Sequence, residues 1–362
     1  MLASQGTFAP VRYPARQAPR QVRYRVRYSC PARSGLLPGP ARRVTRDRTV
    51  DVNMSASAFV LGTLFSGSTL IGRGMTTRIK GAHYVGELNN LTQAPGLSHE
   101  TTEPNCGPCS LLGEDCPHFT DKLRDHVTYD DIPGMHRRLA GSLKASLIID
   151  GSKYVAWLRL AIAQGRAAPA DRTPLNVIVT ARNPIAYALS HRNRTGQPLW
   201  QGANIWRDTY VDALRTANTY GLPLLVMRYE DYMADTERSL ERLSGFLHLP
   251  LNAAPDTTAI HDTGGNWSSF VPYLGKERVE QHIERSGGAV RAEAERFVRP
   301  ARPYWNDEQP KEDTRWHRSL NADEANALLS TPGLTDVAGL LGYNIAEIVQ
   351  TAVRPARARQ DP

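Results

Sequence analysis

Ser57-Ala-Phe-Val-Leu61-Gly62-Thr-Leu-Phe-Ser66-Gly67-Ser-Thr69-Leu70 is the stretch of this 362-residue chain whose reading decides the fold. A short apolar run, Ala58–Leu61, ends in a glycine. A second glycine follows at the G-x-x-x-x-G spacing of a phosphate-binding loop, and a helical pattern then runs over Ser68–Ile79. Gly62 and Gly67 let the backbone turn tightly, so that the N–H groups of Ser66, Gly67, Ser68, Thr69 and Leu70 can approach an anion. Where a nucleotide triphosphatase carries lysine, this chain has Ser68, so a γ-phosphate lacks its charge partner. The same spacing is also compatible with a plain glycine-rich strand–helix turn that holds nothing.

Outward from this stretch, short β-rich runs alternate with helical ones. The runs Ser146–Asp150, Leu175–Ala181 and Leu224–Arg228 read as strands. Lys153–Gln164, Pro184–Arg194, Gly202–Thr219 and Thr236–His248 read as helices, as do Asn321–Ser330 and Leu334–Val353. Near-continuous apolar strands between helices predict an α/β fold, a P-loop-like three-layer sandwich whose central parallel sheet has helices on both faces. In such folds ligands sit at the carboxyl ends of the strands. Residues 55–353 are expected to form this domain, interrupted by a polar, cysteine-bearing lid at about 89–131.

The net charge is +8, which suggests nucleic acid until it is located. Residues 1–53 hold eleven arginines and two acids, a net of +9, which leaves −1 for the rest of the chain. The basic excess belongs to the tail, and no nucleic-acid partner is expected of the body. The Pro/Arg-rich tail 1–54 is expected to be disordered, with Met54 as an alternative start, and residues 354–362 to fray. No apolar run is long enough to span a bilayer. Four cysteines, Cys30, Cys106, Cys109 and Cys116, are too few for a disulfide framework, so a reducing, cytoplasmic setting is expected.

A second constellation is Val177-Ile-Val-Thr-Ala-Arg182-Asn183-Pro184, continuing to Ser190 and Arg194. Asn183 is a good N-cap and Pro184 a good first helical residue. Ser190 and Arg194 then share one helix face, with Arg182 at the strand end, a forked arrangement suited to a phosphate monoester. Solvated surface arginines are the bland alternative.

Together these residues resemble the sulfotransferase family that uses 3′-phosphoadenosine 5′-phosphosulfate (PAPS). The resemblance extends through Ile148-Ile-Asp-Gly-Ser-Lys153, Arg228-Tyr-Glu-Asp231 and Gly265-Asn266, over about residues 57–270. It implies that Ser66–Leu70 hold the 5′-phosphosulfate and that Arg182, Ser190 and Arg194 hold the 3′-phosphate. It implies Glu87, after the β-like His83–Gly86, as general base, and Lys153 as the cation that steadies the sulfuryl group and the leaving phosphate. Capping or solvation for Glu87, and a first-turn helical position for Lys153, are the alternatives. A small-molecule, carbohydrate or lipid acceptor is implied, with no metal required for transfer. A non-catalytic nucleotide-binding protein, or a P-loop small-molecule kinase, are the competing functions.

Two features depart from the family pattern or sit beside it. Phe65 stands where many members carry a cation, and Lys153, Arg73 or Arg78 is expected to supply the charge. Cys106, Cys109, Cys116 and His118 could make a compressed Cys3His zinc site, but free thiols or a Cys106–Cys109 disulfide are preferred and no metal is assigned. His261 is read as a satisfied loop histidine or an alternative base.

Overall fold

The computed structural model describes residues 56–92, 106–112, 114–120, 127–167, 174–263, 276–285 and 314–353. The tail 1–54, Cys30, Gly265-Asn266, residues 354–362 and much of the expected lid lie outside the described residues.

Among the described residues, five strands form one sheet: β1 (Ala56–Leu61), β2 (Ala82–Gly86), β3 (Leu147–Lys153), β4 (Leu175–Ala181) and β5 (Leu224–Arg228). Their order is β2-β3-β1-β4-β5, and every neighbouring pair is parallel. The chain's first strand therefore lies in the middle, flanked by β3 and β4, and the loop that follows it opens between two strand ends. Parallel neighbours need crossovers, which the intervening helices supply.

Those helices are α1 (Ser68–Arg78), α2 (Leu88–Leu91), α3 (Gly107–Leu112), α4 (Ile132–Leu143), α5 (Val155–Ala167), α6 (Pro184–Thr195) and α7 (Leu199–Tyr220). They continue with α8 (Tyr229–Ala234), α9 (Thr236–Leu247), α10 (Lys276–Arg285), α11 (Ala322–Leu329), α12 (Leu334–Leu340) and α13 (Ile345–Ala352). The single C-terminal helix expected over 334–353 is two. Gly342 takes a left-handed φ of 81° after α12, and Asn344 restarts the helix by accepting from Ala346 N at 3.2 Å.

The period-2 geometry of each strand sorts its side chains into two cores. Phe59 and Leu61 of β1, Ile148 of β3, and Val177 and Val179 of β4 pack with α4–α7 and the C-terminal helices. Ala58 and Val60, Leu147 and Ile149, and Ile178 and Met227 pack on the other face with α1, α8 and α9. Both faces are covered, the three-layer arrangement expected from the apolar runs. Each large aliphatic buried this way contributes about 1.5–3 kcal/mol, so exposing either face would be costly.

One strand runs longer than its apolar stretch predicts. β3 continues through Gly151-Ser152-Lys153, so Lys153 is the last residue of a strand and not the first turn of a helix. It pairs in register with Leu61, the residue immediately before the glycine turn. What holds this polar extension is Asp150, fully buried. Asp150 accepts from Ser152 N (2.9 Å), the Ser152 hydroxyl, Trp157 Nε1 (2.7 Å) and His136 Nε2 (3.0 Å). His136 in turn meets Ser57 Oγ at 2.9 Å. A buried carboxylate this well satisfied fixes the strand end rigidly.

Candidate active site

The glycine turn is shaped by what a side chain would hit. A Cβ at Gly62 would lie 2.4 Å from the Thr180 carbonyl oxygen, so only glycine lets the end of β1 pass β4. Gly67 has φ 83° and caps α1, and a Cβ there would meet the Tyr229 ring at 2.6 Å. Ser66 Oγ bonds Thr180 Oγ1 at 2.9 Å, which ties the loop to β4. The helix then begins with Ile71 N donating to Gly67 O at 3.0 Å. Ser68, Thr69 and Leu70 form its buried first turn, which contains no acid. The opening N–H groups and the positive end of the helix dipole make this corner suited to an anion.

The second motif folds as its residues predict. Asn183 Oδ1 accepts from Ala186 N at 2.7 Å, Pro184 opens α6, and Ile185, Ala188 and Leu189 are buried. The cap is itself held: Glu230 Oε1 accepts from Asn183 N (2.9 Å) and Nδ2 (3.3 Å), while its Oε2 accepts from the Tyr343 hydroxyl (2.7 Å). Arg228 and Asp231 form a two-pronged pair at 2.8 and 2.5 Å. The Arg-Tyr-Glu-Asp segment thus orients α6, and Tyr343 joins from the far end of the chain.

Arg182 lies between the two motifs, donating to the Phe65 carbonyl at 3.4 Å with its guanidinium 5.2 Å from the Tyr229 ring centre. Ser190 is half-buried on α6, one turn before Arg194. Arg194 is exposed and stacks its guanidinium 3.7 Å from the centre of the Phe65 ring. This corrects the expectation that Lys153, Arg73 or Arg78 makes up for Phe65. Arg73 is buried against Asp262, Arg78 pairs with Glu237, and Lys153 pairs with Glu87. The cation at the loop comes from α6, with the aromatic ring as its seat. Partial burial, together with Arg315 and Arg182 nearby, lowers the Arg194 pKa from its ordinary value. Three like charges gathered here favour an anion that neutralises them.

Glu87 and Lys153 meet although 66 residues separate them. Glu87 follows β2, caps α2 and is buried, with Oε1 ion-paired to Lys153 Nζ and Oε2 accepting from Asn90 Nδ2 at 3.1 Å. Ser152 Oγ accepts from Asn89 N at 3.1 Å, so the end of β3 and the start of α2 are stitched together. Lys153 has φ 63° and Phe65 has φ 66°. Of the five non-glycine residues at positive φ among the described residues, Lys144 and His248 cap helices, while these two line a pocket. Left-handed backbone at a β-strand end is strained, and such strain clusters at functional sites.

That pocket is a cavity of about 530 Å³ running from Gly62–Phe65 past Lys153 to Tyr187, His191 and Arg194. Its size suits a nucleotide-scale ligand. Burial pushes the Tyr187 phenol up to about 12, so it stays a neutral donor.

On the other side of Glu87, the cysteine segment departs from expectation. His118 is not the fourth partner of the thiols. His261 Nδ1 lies 3.6, 3.5 and 3.4 Å from the sulfurs of Cys106, Cys109 and Cys116, and the His118 ring packs edge-on against His261 at 4.5 Å. His261 therefore faces the sulfurs, which removes it as an alternative base. Hydrogen bonding to Cys106 draws the Cys116 thiol down to about 3, and contacts with Cys109 and Cys116 push Cys106 up. Burial pushes His83 down to about 4, so its neutral ring donates through Nε2 to the His261 carbonyl at 2.9 Å.

Asp150, His136, Asn90, Asp262 and Glu230 were not singled out as site residues from the sequence. Asp150, Glu230 and Asp262 lie inside motifs that the sequence offers, whereas His136 and Asn90 carry no local signal.

No family model and no curated protein matches the chain. Among solved structures, it is similar to the sulfotransferase domain from the Synechococcus PCC 7002 olefin synthase, at 15% identity and a TM-score of 0.43. That match covers 80% of this chain and 95% of that one. It is also similar to a sulfotransferase from Alicyclobacillus acidocaldarius, at 16% identity and a TM-score of 0.35, covering 65% of this chain and 98% of that one.

Proposed function

We propose that this chain is a sulfotransferase that moves the sulfuryl group of PAPS to a hydroxyl or amine acceptor and releases adenosine 3′,5′-bisphosphate. The observation that carries the reading is a cavity lined by the Gly62–Phe65 turn, Lys153 and Arg194, beside the helix start whose open N–H groups suit an anion. A donor with phosphates on both its 5′ and 3′ oxygens offers one anion to the start of α1 with Lys153 and a second to Arg182 and Arg194, whereas ATP has no phosphate to place against the arginines.

In the proposed reaction the acceptor oxygen attacks sulfur in line with the bridging oxygen of the phosphosulfate. The new O–S bond forms as the old S–O bond breaks, and the leaving phosphate keeps the electron pair. Glu87 takes the acceptor proton. Lys153 turns from Glu87 toward the bridging oxygen, where negative charge develops, and the N–H groups at the start of α1 share that charge. The donor arrives activated, so the transfer itself needs no metal. Asp150 acts as a positioning residue for Lys153 through Ser152.

Thermal stabilisation by adenosine 3′,5′-bisphosphate, compared with ATP and magnesium, tests the reading. The bisphosphate should raise the melting temperature and ATP should not. Arg182→Ala should weaken bisphosphate binding roughly 10- to 100-fold, the worth of a charge-assisted hydrogen bond at a desolvated site. No stabilisation, or full stabilisation of the variant, would overturn the proposal. Binding without turnover of labelled donor over cell-extract acceptors would identify a non-catalytic nucleotide-binding protein instead.

A further inference from the structure

Cys106, Cys109, Cys116 and His261 bring three sulfurs and one imidazole nitrogen within 4.8 Å of one another. An ion at tetrahedral distances, about 2.3 Å from sulfur and about 2.0–2.1 Å from nitrogen, would place each sulfur about 3.6 Å from that nitrogen. The observed separations are 3.6, 3.5 and 3.4 Å. Such equal spacing to three sulfurs is what an ion-sized centre demands. A disulfide between any two of them would instead pull that pair together and leave the histidine facing a single thiol.

We infer that these four residues form a zinc site, and that its role is architectural. Four protein ligands fill a tetrahedral shell, so no position is left for water or substrate. Thiolate and imidazole donors select zinc over the hard cations that prefer oxygen. The surroundings fit a thiolate: the backbone N–H groups of His118 and Phe119 point at Cys116 sulfur at 3.4 and 3.2 Å, and Cys106 and Cys109 are buried. His83, donating to the His261 carbonyl, helps fix the loop that presents the ring.

The position gives the site its consequence. Cys106 bridges to Thr263, and Gly107 N donates to Asp262 O at 2.8 Å. Thr263 also pairs with the end of β2: its N donates to Val85 O at 3.1 Å, and Glu87 N donates to Thr263 O at 2.9 Å. The ion would thus join the cysteine segment to the strip of chain against which Glu87 is registered. Ligands separated by 145 to 155 residues would be cross-linked through one atom. The site stands whether or not the chain transfers sulfuryl groups.

The test is metal analysis of the full chain, purified without a metal-binding tag. One zinc per chain is expected by plasma mass spectrometry. Cobalt exchanged into the same site should give intense thiolate-to-metal charge-transfer absorption and tetrahedral visible bands. His261→Ala and Cys116→Ser should each lower zinc affinity at least about tenfold, whereas His118→Ala should retain one zinc. Wild-type protein that takes up no zinc or cobalt under reducing conditions would overturn the inference. So would a disulfide among the three cysteines in protein handled without oxidant, or loss of metal in His118→Ala with retention in His261→Ala. If the cysteine variant does not fold, the wild-type stoichiometry and cobalt spectrum decide the matter alone.

Discussion

The two sides of this site are built by opposite means. At the glycine turn, the fold offers backbone N–H groups, a helix start and arginines that reach in from the surface, one of them leaning on an aromatic ring. On the far side of Glu87, the parts are interlocked and mostly buried: Arg73 against Asp262, three thiols around a half-buried His261, Thr263 laced to β2. The first side is made of short segments whose own sequence sets their shape. The second exists only when segments more than 140 residues apart meet. A region that binds a charged, exchanging ligand can stay open, because solvent satisfies its cations between visits. A region that aligns a carboxylate must stay closed, because a loose partner there would move Glu87.

The sharpest way to break this comparison is Glu87→Gln. The amide keeps the shape and the contact with Asn90 but cannot take a proton. Transfer should fall by about 10²- to 10⁴-fold, measured as kcat with labelled donor, while bisphosphate affinity stays within about twofold. An equal loss in both would place Glu87 in donor binding and erase the distinction between the two sides.

Asp262→Ala comes next, with its effect on stability. It takes the paired carboxylate away from the fully buried Arg73 guanidinium, whose Nε and Nη2 donate to Asp262 at 2.8 and 3.0 Å. Breaking a buried pair on one side costs about 3–5 kcal/mol, readable in a denaturant titration. A loss under 1 kcal/mol would mean that the corner is less closed than its contacts indicate.

Phe65→Ala is the mildest test. It removes the seat of Arg194 and keeps the cation. Stacking of this kind is worth about 0.5–1 kcal/mol at an exposed site, so bisphosphate affinity should weaken about two- to fivefold by calorimetry. Tighter binding would show that the ring diverts Arg194 from the ligand.

The same division explains what could be read from the sequence. α1, α6 and α9 begin and end within a residue or two of expectation, because glycine, Asn183 and Asp235 announce their starts. β1, β4 and β5 carry apolar runs that leave little choice. The local geometry around Gly62, Gly67 and Arg182 follows from the same rules, since each lies where a strand gives way to a helix, and the helix that Asn183 starts carries Ser190 and Arg194. The polar end of β3 was not, since Gly151-Ser152-Lys153 reads as a helix start unless the four donors to Asp150 are known. His261 was beyond reach from spacing. His118, two residues from Cys116, looked like the partner, and only the fold brings His261 nearer. Phe65 was read as a missing charge because sequence shows which residue occupies a position, not which neighbour covers it.

The strip that ends at Thr263 has one more consequence, for the making of the protein. β2 is an outer strand of the sheet, with β3 on one side. Its other border would present open N–H and C=O groups to any passing chain, the usual route to edge-to-edge aggregation. The Gly86–Thr263 bridge covers part of that border, and the covering residue lies 178 positions downstream of Val85, to whose carbonyl it bonds. On the ribosome, β2 therefore emerges long before its cover. Nascent chains cut off anywhere before residue 263 should be sticky in a way that the finished protein is not.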